Sequence, residues 1–294
     1  MTSLNLTSFN KTSLEALPWR PDNLPKLRAA YSDRTAALMA FLADFAYHPQ
    51  ITGKSANVPD ELASLGFHKL SVFANGLTDG FAFIAESDAL NVLSFRGTHS
   101  KANWNTNFRA GLINPKGTDP NLRVHEGFYG AFQGLSEDGL SEKIAAINKT
   151  SGNIPFYVTG HSLGGALAQI AAAVFGSDRL AACYTFGSPR VGNAIFDLWV
   201  KAPSYRVINH ADLVPQVPLP IFYRHSGDPR YLPAKVSAAP YRHEPGFFER
   251  VWQWVEGFVQ LARRRGALLE IEDHKIRNYM VKLDQIANKR NPLP

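Results

Sequence analysis

Tyr157-Val-Thr-Gly-His-Ser-Leu-Gly-Gly-Ala-Leu-Ala-Gln169 is the stretch on which the fold turns. Phe156 to Thr159 reads as the end of a buried strand. Gly160-His161-Ser162-Leu163-Gly164 fits the pattern G-x-S-x-G, and Leu163 to Ala173 is small, apolar and helix-forming. The pattern alone is a weak signal, because a glycine–serine turn joins many strands to helices. Strand, pattern and helix in that order are more specific. They are the context that holds a serine on a sharp, strained turn, its hydroxyl pushed clear of the sheet. Neighbouring backbone then passes close by, which leaves no room for a Cβ at Gly160 or Gly164. The helix starts beside Ser162, so its unbonded N–H groups face any negative charge that develops there.

Strands and helices alternate on either side. Ser32 or Asp33 caps a helix expected to run to about Tyr47, with Ala37, Leu38, Phe41, Leu42 and Phe45 at helical spacing. A short helix over 59–65 and strands over 69–74, 81–86 and 91–95 follow. Val124 to Phe128 opens a long helical pattern that reaches about Asn148. Beyond the central stretch come an apolar strand over 180–186, a helix over 194–200 and a strand over 205–209. Pro215, Pro218 and Pro220 then forbid regular structure. Phe222–His225 and Arg230–Leu232, joined by a Ser226–Pro229 turn, read as a β-hairpin. Helices over 247–264 and 273–287 finish the chain. This alternation predicts an α/β fold, a mostly parallel sheet covered by helices on both faces. No repeat or domain boundary stands out. Residues 1–294 read as one domain, with the proline-punctuated residues 1–28 as an arm laid over it.

At 45% hydrophobic and 12% aromatic residues, the chain is globular rather than disordered. Its 294 residues can bury a large core. The net charge of +6 suits an anionic surface, phospholipid or nucleic acid. The basic residues are scattered, however, apart from Arg263-Arg264-Arg265, and no nucleic-acid motif is present. The charge therefore reads mainly as solubility, with anionic lipid as the sharper alternative. Cys183 is the single cysteine, which excludes an intrachain disulfide and fits a reducing compartment. The first residues lack a basic segment followed by an apolar run. No signal peptide is expected, and the expected location is the cytoplasm or export by a non-Sec route. No run of about 18 apolar residues predicts a transmembrane segment. The apolar stretch Phe247 to Arg264 reads as a core helix, with a segment lying in a lipid interface as its rival.

A serine hydroxyl needs a base, usually histidine, and a group that orients the base. In this strand–helix context the order expected is Ser, then Asp or Glu, then His. Asp212 follows the strand over 205–209, so it sits at the same sheet edge as Ser162. Asp197 lies inside a helical pattern, and Asp228 lies in a Gly-Asp-Pro turn that explains it otherwise. His274, after all the strands, is the favoured base. His243, in a proline-rich loop, is its alternative, and His210 points to the opposite side of the strand from Asp212. An oxyanion needs two donors. Leu163 offers its backbone N–H directly after the serine. Thr98, ending an early strand, offers N–H and hydroxyl, although it also reads as a simple turn residue. His99 to Phe108 is polar but carries Trp104 and Phe108 four apart, on one face of a helix.

Six segments taken together resemble the class 3 lipase family, the fungal-lipase-like branch of the α/β-hydrolases. They are Phe95-Arg96-Gly97-Thr98, Val124-His125-Glu126-Gly127-Phe128, Gly160-His161-Ser162-Leu163-Gly164-Gly165, Thr185 to Asn193, Asn209-His210-Ala211-Asp212-Leu213-Val214-Pro215 and Asp273-His274. The resemblance covers about 93–220 and resumes at Asp273. It implies Ser162 as nucleophile, Asp212 as orienter, His274 as base, and Thr98 with Leu163 as the oxyanion pair. It also implies that Trp104 belongs to a lid helix, which closes apolar side down and rolls outward against lipid. The expected activity is hydrolysis of lipid carboxylic esters, acylglycerols first, with no metal or cofactor. A phospholipase A1 or a soluble-ester carboxylesterase on the same triad is the near alternative. A non-catalytic scaffold of the same fold is the distant one. The expected partners are a lipid ester substrate and a peripheral lipid interface, with no nucleic acid.

Overall fold

Among the described residues nine strands form: β1 (Lys69–Asn75), β2 (Gly80–Glu86), β3 (Asn91–Phe95), β4 (Leu112–Ile113), β5 (Val124–His125), β6 (Phe156–His161), β7 (Leu180–Phe186), β8 (Ser204–Asn209) and β9 (Asp228–Leu232). They are seen in a computed structural model that describes residues 17–24, 30–51, 57–97, 111–176, 180–210, 212–234, 236 and 272–290. Seven strands make one sheet in the order β1-β2-β3-β6-β7-β8-β9, and β4 pairs with β5 apart from it. β1, β2 and β3 run antiparallel; from β3 to β9 every pairing is parallel. The expected residues Thr98 and Trp104, the lid stretch, His243 and the helix over 247–264 lie outside the described residues.

The helices among the described residues are α1 (Asp33–Phe45), α2 (Asp60–Ser64), α3 (Glu126–Leu135), α4 (Ser141–Thr150), α5 (Leu163–Val174), α6 (Ala194–Trp199) and α7 (Ile276–Arg290). α1 and α7 share one core with Trp19 and one face of the sheet, while α3 to α6 share another core with the opposite face. Alternation along β2 supplies both: Phe81, Phe83 and Ala85 join the first core, Ala82 and Ile84 the second. Ser32 caps α1, its side chain accepting from the Thr35 N–H. Two sheet hydroxyls fix α1 in place. Ser94 donates to the Leu42 carbonyl at 2.9 Å, and Thr159 to that of Met39 at 3.1 Å. Trp19 is buried in the same core and donates its indole N–H to Asp284 of α7 at 2.8 Å. Among the described residues, no helix is long and apolar enough to cross a membrane.

Three sequence expectations are corrected. The helical pattern over 124–148 is not one helix. Val124 and His125 form β5, and a wider turn at Ser136–Leu140, with Gly139 at φ 95°, separates α3 from α4. Asp138 in that turn accepts the Ala74 N–H at 3.1 Å, so the turn reaches the sheet edge. The hairpin over 222–232 does not form. Arg224 bridges to Gly192, Tyr223 packs against His125, and Asp228–Leu232 pairs parallel with β8. Finally, Glu272–His274 is a separate short turn, so His274 precedes α7 rather than opening it.

Candidate active site

β6 delivers Ser162 to the carboxyl edge of the sheet. Its backbone holds φ 58° and ψ −127°, a conformation rarely adopted by a residue with a Cβ. The Ser162 N–H donates to the Phe186 carbonyl at 2.9 Å, which locks the turn to β7. The close approaches expected of the flanking glycines are present. A Cβ on Gly160 would run into the Gly164 carbonyl, and one on Gly164 into that of Phe95. α5 starts at Leu163, so the Leu163 N–H is a first-turn donor that the helix itself leaves unbonded.

β8 and the segment before α7 bring the other two groups. The His274 ring lies between Asp212 and Ser162. Its Nδ1 is 2.9 and 3.0 Å from the two Asp212 oxygens, and its Nε2 is 2.9 Å from Ser162 Oγ. A carboxylate only accepts, so Nδ1 carries the proton and bare Nε2 faces the serine hydroxyl. Asp212 is buried. Its remaining lone pairs are satisfied by the Val214 N–H at 2.9 Å and by the Tyr279 hydroxyl. That hydroxyl in turn accepts the Asn209 N–H at 3.1 Å. Burial, then the adjacent Asp212 carboxylate, push the Tyr279 pKa well above the ordinary phenol range, so the group stays a donor.

Three rival candidates, His210, Asp197 and Asp228, are engaged elsewhere. His210 pairs with Asp273 at 3.4 Å. Asp197 accepts from Ser226 Oγ at 2.8 Å and the Gly227 N–H at 3.0 Å, and Asp228 pairs with Arg230 at 2.7 Å. Several contributors escaped the sequence reading. Tyr279 looks like any apolar-face residue of α7. Gly187, at φ 56°, stands where a Cβ would lie 2.6 Å from Asp212 Oδ2 and 2.9 Å from His274 Nδ1. Its signal was the Phe186-Gly187-Ser188 match, read as a segment without a role. Asn209 donates to the Asp273 carbonyl at 2.8 Å and accepts from Lys282 at 2.6 Å. It thereby braces the backbone that carries His274.

A mostly parallel sheet with a serine on a strained strand–helix turn, and an acid and a histidine from later loops, defines an α/β-hydrolase. Residues 92–222 match the family model described as Lipase (class 3). The chain is similar to secreted mono- and diacylglycerol lipase 1 of Fusarium solani, 38% identical over 160 residues, 51% of this chain and 47% of that protein. It is also similar to a chloroplastic phospholipase A(1) of Arabidopsis thaliana, 32% identical over 148 residues, 43% of this chain and 33% of that one. Among solved structures, the lipase of Rhizopus microsporus var. chinensis superposes with a TM-score of 0.59 at 25% identity, covering 78% of this chain and 83% of that one. The chain spans about half or less of the length of these curated relatives.

Proposed function

We propose that this chain is a serine hydrolase that cleaves carboxylic ester bonds of lipids, acylglycerols first among them. The observation that carries the reading is His274 Nε2, 2.9 Å from Ser162 Oγ, while its Nδ1 is held by Asp212. Ser162 Oγ attacks the ester carbonyl as His274 Nε2 takes its proton. The oxyanion forms beside the Leu163 N–H, with Thr98 proposed as the second donor. Collapse breaks the C–O bond, and the alcohol leaves with the proton from His274. Water, deprotonated by the same nitrogen, attacks the acyl-enzyme and releases the fatty acid. Relatives named as mono- and diacylglycerol lipases favour acylglycerols. The relative named phospholipase A(1) supports phospholipid as the second reading.

Contact with a lipid interface belongs to the same proposal. Leu219, Ile221 and Phe222 are 65%, 67% and 71% exposed, three large apolar side chains on one loop beyond Asp212. Arg190 holds the base of this loop through the Gln216 and Pro218 carbonyls. Arg224 braces its tip through those of Pro220 and Tyr223. The net charge of +6 complements an anionic interface. The lid over 99–108, with Trp104 on its apolar face, is proposed alongside.

A fluorophosphonate probe should label the protein at Ser162 and leave Ser162→Ala unlabelled. Ser162→Ala and His274→Ala should each lower kcat by roughly 10⁴–10⁶-fold, with the double variant little worse. An ester panel then ranks emulsified acylglycerols, phospholipid mixed micelles and dissolved short-chain esters. An unlabelled wild-type protein would return the chain to a non-catalytic scaffold.

A further inference from the structure

His161, the residue between Gly160 and Ser162, is not consumed by the mechanism above. It is buried at 6% exposure, and both its ring nitrogens are engaged. Nε2 lies 2.7 Å from the backbone carbonyl of His274, and Nδ1 lies 3.0 Å from the Tyr47 hydroxyl. The carbonyl can only accept, so Nε2 carries the proton. In a neutral ring Nδ1 is then bare and accepts from Tyr47. The Tyr47 oxygen in turn accepts the Gly97 N–H at 3.0 Å. The bonds therefore run one way: Gly97 N–H to Tyr47 O–H, Tyr47 O–H to His161 Nδ1, and His161 Nε2–H to the His274 carbonyl.

Each end of this relay touches the candidate site. Gly97 directly precedes Thr98, and a Cβ on Gly97 would lie 2.8 Å from the His161 carbonyl and 3.2 Å from Ser162 Cβ. At the other end, the His161 ring packs on the His274 ring, with centroids 4.5 Å apart. His274 sits in a three-residue turn ahead of α7, so little regular structure fixes its backbone. Burial first, and then the nearby His274, hold the His161 pKa well below the ordinary range, in keeping with a neutral ring.

We infer that His161 is a positioning residue. Through the Tyr47 hydroxyl it sets the His274 backbone, and with it the Nε2–Oγ distance, relative to the strand end at Gly97. The inference rests on the proposed hydrolase reading and adds to it two residues, His161 and Tyr47, that need not touch substrate. Their effect is one of preorganisation. A displacement of about an ångström can cost on the order of 100-fold in rate without any contact to substrate being lost.

The test is steady-state kinetics and fluorophosphonate labelling of Tyr47→Phe, His161→Phe, His161→Gln and the Tyr47→Phe/His161→Phe pair, on one dissolved short-chain ester. Tyr47→Phe and His161→Phe should each lower kcat and the labelling rate by about 10- to 100-fold, with KM nearly unchanged. The pair should be little worse than His161→Phe, because both act through the same bond. His161→Gln, which keeps an N–H donor, should recover part of the loss. Nitrogen-15 spectra of histidine-labelled Ser162→Ala protein, with the His161 signals assigned by their loss in His161→Gln, should show His161 neutral and protonated at Nε2 only. That readout needs no turnover and survives if His161→Phe fails to fold. Wild-type rates in a folded Tyr47→Phe, multiplicative losses in the pair, or an Nδ1-protonated His161 would overturn the inference alone. A wild-type protein that neither labels nor hydrolyses any ester would overturn the hydrolase reading beneath it.

Discussion

Asp212 shows how much of a site one residue's surroundings decide. It is buried and takes hydrogen bonds from the His274 ring, the Val214 N–H and the Tyr279 hydroxyl. A buried carboxylate with any of these removed is left under-bonded, and a bond to a charged group is worth about 1.5–3 kcal/mol. Tyr279→Phe removes one donor and also leaves the Asn209 N–H without its acceptor. It should lower kcat by roughly 10-fold or more with KM little changed, read from initial rates on a dissolved ester. A loss of thermal stability with kcat intact would make the bond purely structural. Ser162 was legible because its signal is local: strand, glycines and helix are consecutive in the chain. Tyr279 and Gly187 were not. Their roles exist only because β8, the loop after β7 and α7 converge; nothing around Tyr279 distinguishes it from a core tyrosine, and the match around Gly187 marks a segment without saying what its glycine does.

At the scale of elements, α1 and α7 are packed together over one sheet face, and Asp44 of α1 is buried between them. Burial pushes its carboxyl pKa up to about 6, only partly opposed by Arg277 of α7, whose Nε is 3.9 Å away. The folded state therefore keeps a proton that the unfolded chain releases near pH 4. Stability falls as pH rises through the window from about 4 to about 6, and the full cost stands above it. Asp44→Asn should be more stable than wild type at pH 8, by an amount on the order of 2–3 kcal/mol. The advantage should shrink toward nothing near pH 4. Urea melts at pH 4, 6 and 8 measure it, and a pH-independent difference would detach the effect from ionisation. The elements themselves were largely legible where periodicity was strong, as in α1, β2, β3 and β7. The break between α3 and α4 was not, because it follows from Asp138 meeting the β1 backbone. Neither was the parallel pairing of β9, because it follows from Arg224 and Tyr223 being drawn to Gly192 and His125.

At the scale of the whole molecule, the parallel run of strands aligns the carboxyl ends of β6, β7 and β8, so the loops that follow them converge on one edge. The apolar loop 219–222 continues from the segment that carries Asp212, which puts any interfacial contact in the same stretch of chain as the chemistry. Ile221→Ser with Phe222→Ser should weaken activity on emulsified substrate by about 10-fold or more while leaving dissolved-ester turnover near wild type. Each exposed apolar side chain withdrawn from water at an interface contributes about 1.5–3 kcal/mol. Equal losses on both substrates would place the two residues in folding or in the pocket instead.

The sequence by itself determined the α/β class, the elbow at Ser162 and the chain order of Ser162, Asp212 and His274, because these depend on local pattern and on connection rules. Tertiary structure decided which histidine stands beside the serine, what satisfies the buried Asp212, and how His161 and Tyr47 join the strand end at Gly97 to the His274 turn. Those depend on hydrogen-bond partners up to 114 residues apart in the chain, fixed only when helix and sheet pack and every buried polar group must find its partner.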